Sequence, residues 1–189
     1  MPLFNFIGCP QSGKTTIAAL LFAGLKEVGM VAEFSPEQAR FYIAQQRVIQ
    51  GLRPEQKLVL TDSDQLNIMR AQVEVDEVLV KSCGPKVFII GDSSPFNSML
   101  YMSPEFRESV EVQELAHRAQ NITTASFLAE MLDRPFELDP NRVHDESQSR
   151  KINELIPILL SKFPKLETCS VHGTTPQRVL LAQNLIFSK

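Results

Sequence analysis

The sequence predicts an α/β fold in three layers, with a parallel five-stranded sheet between two layers of helices. Short apolar runs alternate with longer segments of helical spacing, and this alternation is typical of strand–helix–strand units. The run Lys86-Val-Phe-Ile-Ile-Gly-Asp92 is apolar between its ends, as in a strand buried on both faces of a parallel sheet. Gly29 and Gly84-Pro85 end two of the helical segments. Because each crossover helix returns the chain to the same edge, consecutive strands are expected to be parallel.

The predicted elements alternate in chain order within one domain that spans residues 1–189. Strands are predicted at about 3–8, 30–34, 86–92, 124–131 and 167–172. Helices are predicted at about 14–28, 35–50, 63–82, 104–120, 146–163 and 175–187. A polar, proline-containing stretch at about 133–145 interrupts the pattern and is predicted to be a short lid. Ligands in such folds bind beyond the carboxyl ends of the strands, so the functional residues are expected there.

Length, charge and composition limit the classes of protein that fit this sequence. The 189 residues suffice for one domain with a full core. The net charge of −3 argues against broad attraction to DNA or membranes but leaves room for a local basic patch. No stretch approaches the ~20 apolar residues of a membrane span, and the N-terminus lacks a basic signal region. The three cysteines lack metal-binding spacing and are expected to be reduced, so we predict a cytoplasmic protein without a membrane partner.

The segment Gly8-Cys-Pro-Gln-Ser-Gly-Lys-Thr15 fills every defining position of the phosphate-binding loop Gly-x-x-x-x-Gly-Lys-Thr. It follows a predicted strand and precedes a predicted helix, whose N-terminus favours a bound anion. Lys14 can reach the β- and γ-phosphates of ATP, and the Thr15 hydroxyl can ligate Mg²⁺. The sequence therefore predicts a P-loop NTPase that binds ATP and Mg²⁺. The residues expected to contact the nucleotide are Gly8, Cys9, Pro10, Gln11, Ser12, Gly13, Lys14, Thr15 and Thr16.

Asp92 ends the apolar strand at about 86–92 and is the second candidate for the chemistry. A carboxylate at this place could hold the metal, directly or through water, or could accept a proton from a substrate hydroxyl. The alternative is a helix N-cap, although Ser93 or Ser94 would serve equally well in that role. With a phosphate-binding loop in the same chain, we predict a catalytic and metal-binding Asp92.

Glu33, Glu37 and Arg40 lie at the end of the second predicted strand and the start of its helix. Glu37 and Arg40 are three residues apart and share a helix face. A carboxylate there suits recognition or deprotonation of a substrate hydroxyl, and a guanidinium suits a phosphate or an ion pair. The alternative is an ordinary Glu–Arg pair on the surface. We predict that all three contact the acceptor and that Glu37 also takes part in catalysis.

The predicted lid carries cations suited to phosphoryl transfer. Arg142 is the candidate catalytic arginine, and a solvated surface loop is the alternative. Later in the chain, the turn at 172–175 could border the adenine, with Arg178 nearby. The charged residues of the lid region and the next helix are Asp133, Arg134, Asp139, Arg142, His144 and Arg150.

Several of these pieces, in this order, resemble the P-loop kinase and ATPase group that contains the nicotinamide riboside kinases of the NadR type. The shared elements are the phosphate-binding loop, Glu37-Gln-Ala-Arg40, a helix rich in Gln and Glu (Gln65, Gln72, Glu74, Glu77), a strand-end Asp92 followed by Tyr101, Asp139-Pro-Asn-Arg142, and Gly173 with Arg178. The resemblance implies a nucleoside or nucleotide kinase-like fold. It also implies that Lys14 and Thr15 bind ATP and Mg²⁺, that Asp92 serves metal or base chemistry, that Glu37 and Arg40 face the acceptor, and that Arg142 and Arg150 belong to the lid. Relatives often have Arg or Thr directly after the strand-end Asp, where this chain has Ser93-Ser94-Pro95.

Three functions are compatible with the sequence. The first is a phosphotransferase that moves the γ-phosphate of ATP to an alcohol group of a nucleoside-like small molecule. The second is a kinase that acts on hydroxymethylated pyrimidines in DNA, with a basic groove formed by Arg40, Arg47, Arg53 and Lys57. The third is a regulatory ATPase whose hydrolysis changes a partner surface. The sequence leaves open the acceptor, the identity of the base and the oligomeric state.

Overall fold

Five parallel strands form one sheet in the order β2-β3-β1-β4-β5, with the first strand of the chain at its centre. The structure is a computed structural model and describes residues 2–53, 56–131 and 146–188. The strands are β1 (Leu3–Ile7), β2 (Ala32–Ser35), β3 (Phe88–Gly91), β4 (Ala125–Ala129) and β5 (Thr168–Val171). The helices are α1 (Lys14–Glu27), α2 (Gln38–Ile49), α3 (Asp62–Ser82), α4 (Phe96–Met99), α5 (Pro104–Arg107), α6 (Val110–Ile122), α7 (Glu146–Leu160) and α8 (Thr175–Phe187). The predicted lid lies outside the described residues.

Helices cover both faces of the sheet, which confirms the predicted three-layer α/β fold. On one face, α1 and α8 pack against Phe4, Phe6 and Phe127. On the other face, α3, α4, α6 and α7 pack around Ile7 and Phe96. All five residues of β1 are buried, as expected of the central strand between two helical layers. Among the described helices, none has both the length and the apolar run that crossing a bilayer needs.

Two helix boundaries differ from the sequence prediction. The helix predicted from residue 35 begins at Gln38. Ser35 is instead the last residue of β2, where it pairs with Gly91 and its hydroxyl donates a hydrogen bond to Asp76. The helix predicted at 104–120 is divided into α5 and α6. Ser109 has extended backbone between them, and Gln113 Nε2 donates to the Arg107 carbonyl oxygen at 2.8 Å. Side-chain hydrogen bonds therefore set both boundaries.

A buried polar cluster joins β2, α2 and α3. Ser35 donates to Asp76 Oδ1 at 2.5 Å, and the Gln72 amide donates to the same oxygen at 3.2 Å. Gln72 Oε1 accepts from the backbone N–H of Gln38 at 3.0 Å, which satisfies a donor in the first turn of α2. Asp76 is fully buried, and burial raises its pKa to about 6. The start of α2 is thus held by Gln72, which in turn donates to Asp76, an acid whose ionised form is disfavoured by burial.

We expect Asp76→Asn to change how stability depends on pH. Since the pKa of Asp76 is higher in the folded protein than its ordinary value of 3.8, its favourable contribution is complete below that pH and is lost as the pH rises through about 6. An amide cannot ionise, so the free energy of unfolding of the variant should gain up to about 3 kcal/mol relative to wild type between acidic and neutral pH. Urea unfolding across this range measures the difference. Glu74→Gln, an exposed change on the same helix, is the control, and parallel curves for Asp76→Asn and wild type would contradict the prediction.

Candidate functional site

The phosphate-binding loop leaves the centre of the sheet and turns sharply into α1. Gln11 and Gly13 have positive φ angles of 63° and 83°, which bend the backbone around a concave surface. A Cβ on Gly8 would lie 2.6 Å from Ser12 Oγ and 2.7 Å from the Ala129 carbonyl oxygen. The loop therefore needs glycine at its first position for space and at Gly13 for its dihedral angles. The first backbone N–H groups of α1 lie beside this concavity, as they do in anion sites at helix N-termini.

Lys14 lies over the loop. Its Nζ donates to the carbonyl oxygens of Gly8 at 2.8 Å and Cys9 at 3.0 Å. The ammonium is thus already at the loop, where phosphate oxygens would be alternative acceptors. Cys9 is buried, and desolvation raises the pKa of its thiol although Lys14 acts in the opposite direction. Cys9 is therefore part of the packed loop, in keeping with an inert thiol.

Two buried side chains hold the loop from both ends, and sequence reasoning missed the first of them, Asn97, and the supporting role of the second, Arg178. Asn97 in α4 accepts from the Gly8 N–H at 3.2 Å and donates to Ser93 Oγ at 2.8 Å. Arg178 in α8 is 3% exposed and donates to the carbonyl oxygens of Ser12 at 2.9 Å, Glu130 at 2.8 Å and Gly173 at 2.8 Å. Its guanidinium joins the loop to the ends of β4 and β5. The predicted contact of the turn at 172–175 with adenine stays a prediction, whereas Arg178 itself supports the loop.

The position of Arg178 has a signal in the sequence, and that of Asn97 does not. Arg178, Ala182 and Ile186 are four residues apart and form the buried face of α8. A cation on the buried face of a helix that follows a strand end indicates a charge with several hydrogen-bond acceptors. Asn97 lies in a helix of four residues, which is too short for hydrophobic periodicity to show.

Asp92 is 4% exposed and directly follows β3, with its N–H donating to the Ser35 carbonyl oxygen at 2.9 Å. The Thr15 side chain lies close to its carboxylate, whose Oδ1 is buried without a hydrogen-bond partner in the described part of the chain. Burial raises the pKa of Asp92, and the Glu37 carboxylate adds to that effect. Thr15, Arg40 and Lys14 lower the same pKa.

Thr15 and Asp92 fit the metal that the sequence predicts. The Thr15 hydroxyl lies close enough to lower the pKa of the Asp92 carboxyl, and Asp92 Oδ1 has no hydrogen-bond partner among the described residues. Oxygen ligands of this kind are the ones that Mg²⁺ prefers. The two side chains come from α1 and from the end of β3, so the parallel sheet brings them together.

Glu37 and Arg40 also lie at this cluster. Arg40 Nε donates to Glu37 Oε2 at 2.6 Å, and Arg40 Nη2 donates to Thr15 Oγ1 at 2.9 Å. The pair therefore contacts the phosphate-binding loop in addition to being a Glu–Arg pair at the surface. Glu33 does not join it, because β2 continues to Ser35 and places Glu33 inside the strand, exposed and opposite Ile89.

A cleft with about 400 Å³ of empty space, open to solvent, lies beside the loop. Lys14 and Glu37 contribute its charged groups, and amide and hydroxyl groups of α3 and of the segment after β3 supply most of the remaining polar surface. The lining residues are Gly8, Lys14, Glu37, Ala39, Gln65, Ile68, Gln72, Ser93, Ser94, Asn97, Ser98 and Tyr101.

Most of the residues predicted for the lid region lie outside the described part of the chain, so they are not located relative to this cleft. Asp133, Arg134, Asp139, Arg142 and His144 fall outside the described residues. Arg150 lies in α7, where its Nη2 donates to Glu146 Oε1 at 2.7 Å, one helical turn earlier. The role of Arg142 in catalysis accordingly stays a prediction.

Comparison with known proteins agrees with this arrangement. A family described as "AAA domain" matches residues 3–178. A comparison with curated proteins gives no match.

Solved structures of kinases share the fold. Thymidylate kinase from Candida albicans is 15% identical with a TM-score of 0.65, over 99% of this chain and 91% of that one. The NadR protein in complex with NAD and AMP-PNP is 14% identical with a TM-score of 0.64, over 99% of this chain and 49% of that one. The Mycobacterium tuberculosis APS kinase CysC is 13% identical with a TM-score of 0.50, over 98% of this chain and 97% of that one. At these identities the likeness shows a P-loop kinase fold.

We predict that Arg178→Met weakens both nucleotide binding and folding. The change keeps much of the side-chain volume but leaves the carbonyl oxygens of Ser12, Gly173 and Glu130 without their donor. An unpaired buried acceptor costs about 1–3 kcal/mol, and the Ser12 carbonyl oxygen is the buried one of the three. We therefore expect a loss of roughly 2 kcal/mol in unfolding free energy and at least about tenfold weaker ADP binding. Thermal unfolding and titration with a fluorescent ADP analogue measure these effects. Arg118→Met, a change in a surface ion pair with Glu77, is the control. Equal stability and equal ADP affinity of the two variants would show that Arg178 does not support the loop.

Proposed function

The chain belongs to the AAA domain family, and from this premise we propose that it is an ATP- and Mg²⁺-dependent kinase that phosphorylates a hydroxyl group of a nucleoside-like small molecule. One observation carries the proposal: a buried carboxylate, Asp92, lies close to the Thr15 hydroxyl. The adjacent residues Lys14 and Ser93 line a cleft together with Glu37. A hydrolase or a simple nucleotide switch has no need of the second, polar half of that cleft. A phosphotransferase needs it for the acceptor.

On the donor side, the phosphate-binding loop and Lys14 would hold the triphosphate of ATP. Thr15 and Asp92 would hold Mg²⁺, which neutralises charge on the β- and γ-phosphates when bound. The acceptor hydroxyl oxygen forms the new bond to the γ-phosphorus, the bond from that phosphorus to the β,γ-bridging oxygen breaks, and ADP leaves. The hydroxyl proton passes to a carboxylate, for which Glu37 and Asp92 are the two candidates.

Glu37 has an advantage as the base, because its side chain is 21% exposed and lines the cleft with Lys14. Asp92 is more deeply buried and is tied to Thr15, which suits a metal ligand. Arg142, in the predicted lid, would add a cation against the transferring phosphoryl group.

The lining of the cleft supports an acceptor without a phosphate of its own. Its acceptor half presents amide and hydroxyl groups, and Ser93 stands directly after Asp92, where relatives often carry Arg or Thr. Recognition of a nucleoside monophosphate calls for arginine or lysine at its phosphate. We therefore rank nucleosides first, with nicotinamide riboside among them because the likeness to NadR suggests it and Glu37 would suit its cationic ring. A cytoplasmic location agrees with the reduced cysteines expected from the sequence.

The DNA-acceptor alternative has less support. It requires a basic groove beside the cleft, but Arg40 is engaged with Glu37 and Thr15. Arg47 Nη1 donates to the carbonyl oxygen of Gln56 at 3.0 Å and thereby holds the loop that follows α2. Two of the four proposed cations therefore have structural partners in this protein.

We predict that Asp92→Asn lowers kcat by at least about 100-fold, since the amide neither binds a metal as strongly nor accepts a proton. ADP binding in EDTA should change less than about threefold, because the phosphate-binding loop is intact. Steady-state transfer from γ-labelled ATP and equilibrium titration supply the two measurements. Full activity in Asp92→Asn would exclude this assignment, and Glu74→Gln, an exposed carboxylate-to-amide change outside the cleft, is the control.

The acceptor is identified by a screen with γ-labelled ATP against common nucleosides, nicotinamide riboside, nucleoside monophosphates and DNA containing hydroxymethyluracil. We expect label in a free nucleoside and none in a monophosphate. Label in DNA would support the second function instead. Steady release of inorganic phosphate without label in any acceptor would support a regulatory ATPase.

A further inference from the structure

Arg40 connects the start of α2 to the predicted metal position. Its Nε donates to Glu37 Oε2 at 2.6 Å, and its Nη2 donates to Thr15 Oγ1 at 2.9 Å. The Thr15 hydroxyl also lies close enough to the Asp92 carboxylate to lower the pKa of that group. Arg40 thus links Glu37 in α2 to the first turn of α1, beside the acid that follows β3.

The Thr15 oxygen to which Arg40 donates is the one that the loop motif assigns to Mg²⁺. A hydroxyl oxygen has two lone pairs, and Arg40 occupies one of them. A guanidinium at hydrogen-bond distance from a metal ligand would stand beside a dication, and like charges so close repel strongly in a partly buried site. The Arg40–Thr15 contact and a metal ion on Thr15 therefore exclude each other.

Arg40 also supplies positive charge to the same carboxylates. Burial and the Glu37 carboxylate both disfavour the charged form of Asp92, whereas Arg40 and Lys14 favour it. Asp92 Oδ1 has no hydrogen-bond partner among the residues that the structure describes, although the residue is 4% exposed. Of the two predicted metal ligands, Thr15 therefore has the Arg40 guanidinium beside it, and Asp92 has a carboxylate oxygen that the described residues leave unbonded.

Arg40 lies on the exposed side of α2, where a change of its side-chain conformation disturbs no core packing. Its side chain is 63% exposed, and α2 has no buried residue along its length. The hydrogen bond from the Gln38 N–H to Gln72 fixes the first turn of the helix, so Arg40 can turn away while the backbone of α2 stays in place.

We propose that Arg40 is a resident counter-ion that Mg²⁺ displaces from Thr15 when the metal nucleotide binds. The proposal rests on the proposed function in one respect, namely that the loop binds a metal nucleotide. Displacement frees the Arg40 guanidinium to move toward the cleft with its partner Glu37. Binding of the metal nucleotide in the donor half then repositions two side chains that face the acceptor half. Arg40 is then a positioning residue that couples the two halves.

The test is the factor by which Mg²⁺ strengthens ADP binding, measured with a fluorescent ADP analogue in Mg²⁺ and in EDTA. In wild type, part of the metal's binding energy is used to displace Arg40. Arg40→Met removes the competitor, so we expect the Mg²⁺ factor to rise at least about threefold. Arg40→Lys keeps a charge without the planar fork, and we expect a value between the two.

Arg47→Met is the matched control, because it removes the same charge from the same helix about two turns beyond Arg40. We expect its Mg²⁺ factor to equal that of wild type. An equal rise in Arg47→Met would assign the effect to the general field of α2, and an unchanged or smaller factor in Arg40→Met would show that Arg40 does not compete with the metal. Either result overturns the exchange. Because binding is measured without transfer, the outcome is separate from whether any acceptor is phosphorylated.

Discussion

Two buried side chains anchor the phosphate-binding loop, and the geometry of the whole site depends on them. The loop turns at the end of the sheet, and those of its backbone N–H and carbonyl groups that are buried need protein partners. Asn97 meets the Gly8 N–H at the entrance, and Arg178 meets the Ser12 carbonyl oxygen on the far side. Since Gly8 has no space for a Cβ, the loop cannot relax toward Ala129. The concavity is therefore fixed before any ligand arrives, which lowers the entropic cost of binding.

The parallel sheet gathers charges of both signs at one edge. Asp92 follows β3, Lys14 and Thr15 follow β1, and Glu37 and Arg40 follow β2, so three strand ends supply one cluster. Each carboxylate has a cation close by, and the balance keeps Asp92 usable although burial and Glu37 both raise its pKa. Strand order matters here, since β3 lies between β2 and β1 and its final acid faces the groups from both neighbours.

The sequence was sufficient for the layers, for the parallel strands and for the donor half of the site. Each of these depends on local patterns that have one physical reading: the glycine-lysine loop, or the apolar runs of β1 and β3. Sequence reasoning missed Asn97 and the supporting role of Arg178 because both act through contacts with residues about 90 and 166 positions away. It placed Glu33 at a strand end because it ended the second strand at residue 34, whereas a hydrogen bond from Ser35 to Asp76 accompanies the continuation of β2. It joined α5 to α6 because hydrophobic periodicity does not show the hydrogen bond from the Gln113 side chain to the Arg107 carbonyl oxygen.

The bare surface of α2 bears on how such a protein can change in evolution. Phe41, Val48 and Ile49 are 64%, 81% and 67% exposed, and no residue of the helix belongs to the core. Substitutions there cost little folding energy, since they open no cavity and leave no buried group unpaired. The same helix carries Arg40 and adjoins the cleft. Substitutions in α2 can therefore change which acceptor the protein binds during evolution, while the sheet, the loop and their anchors maintain the stability of the fold.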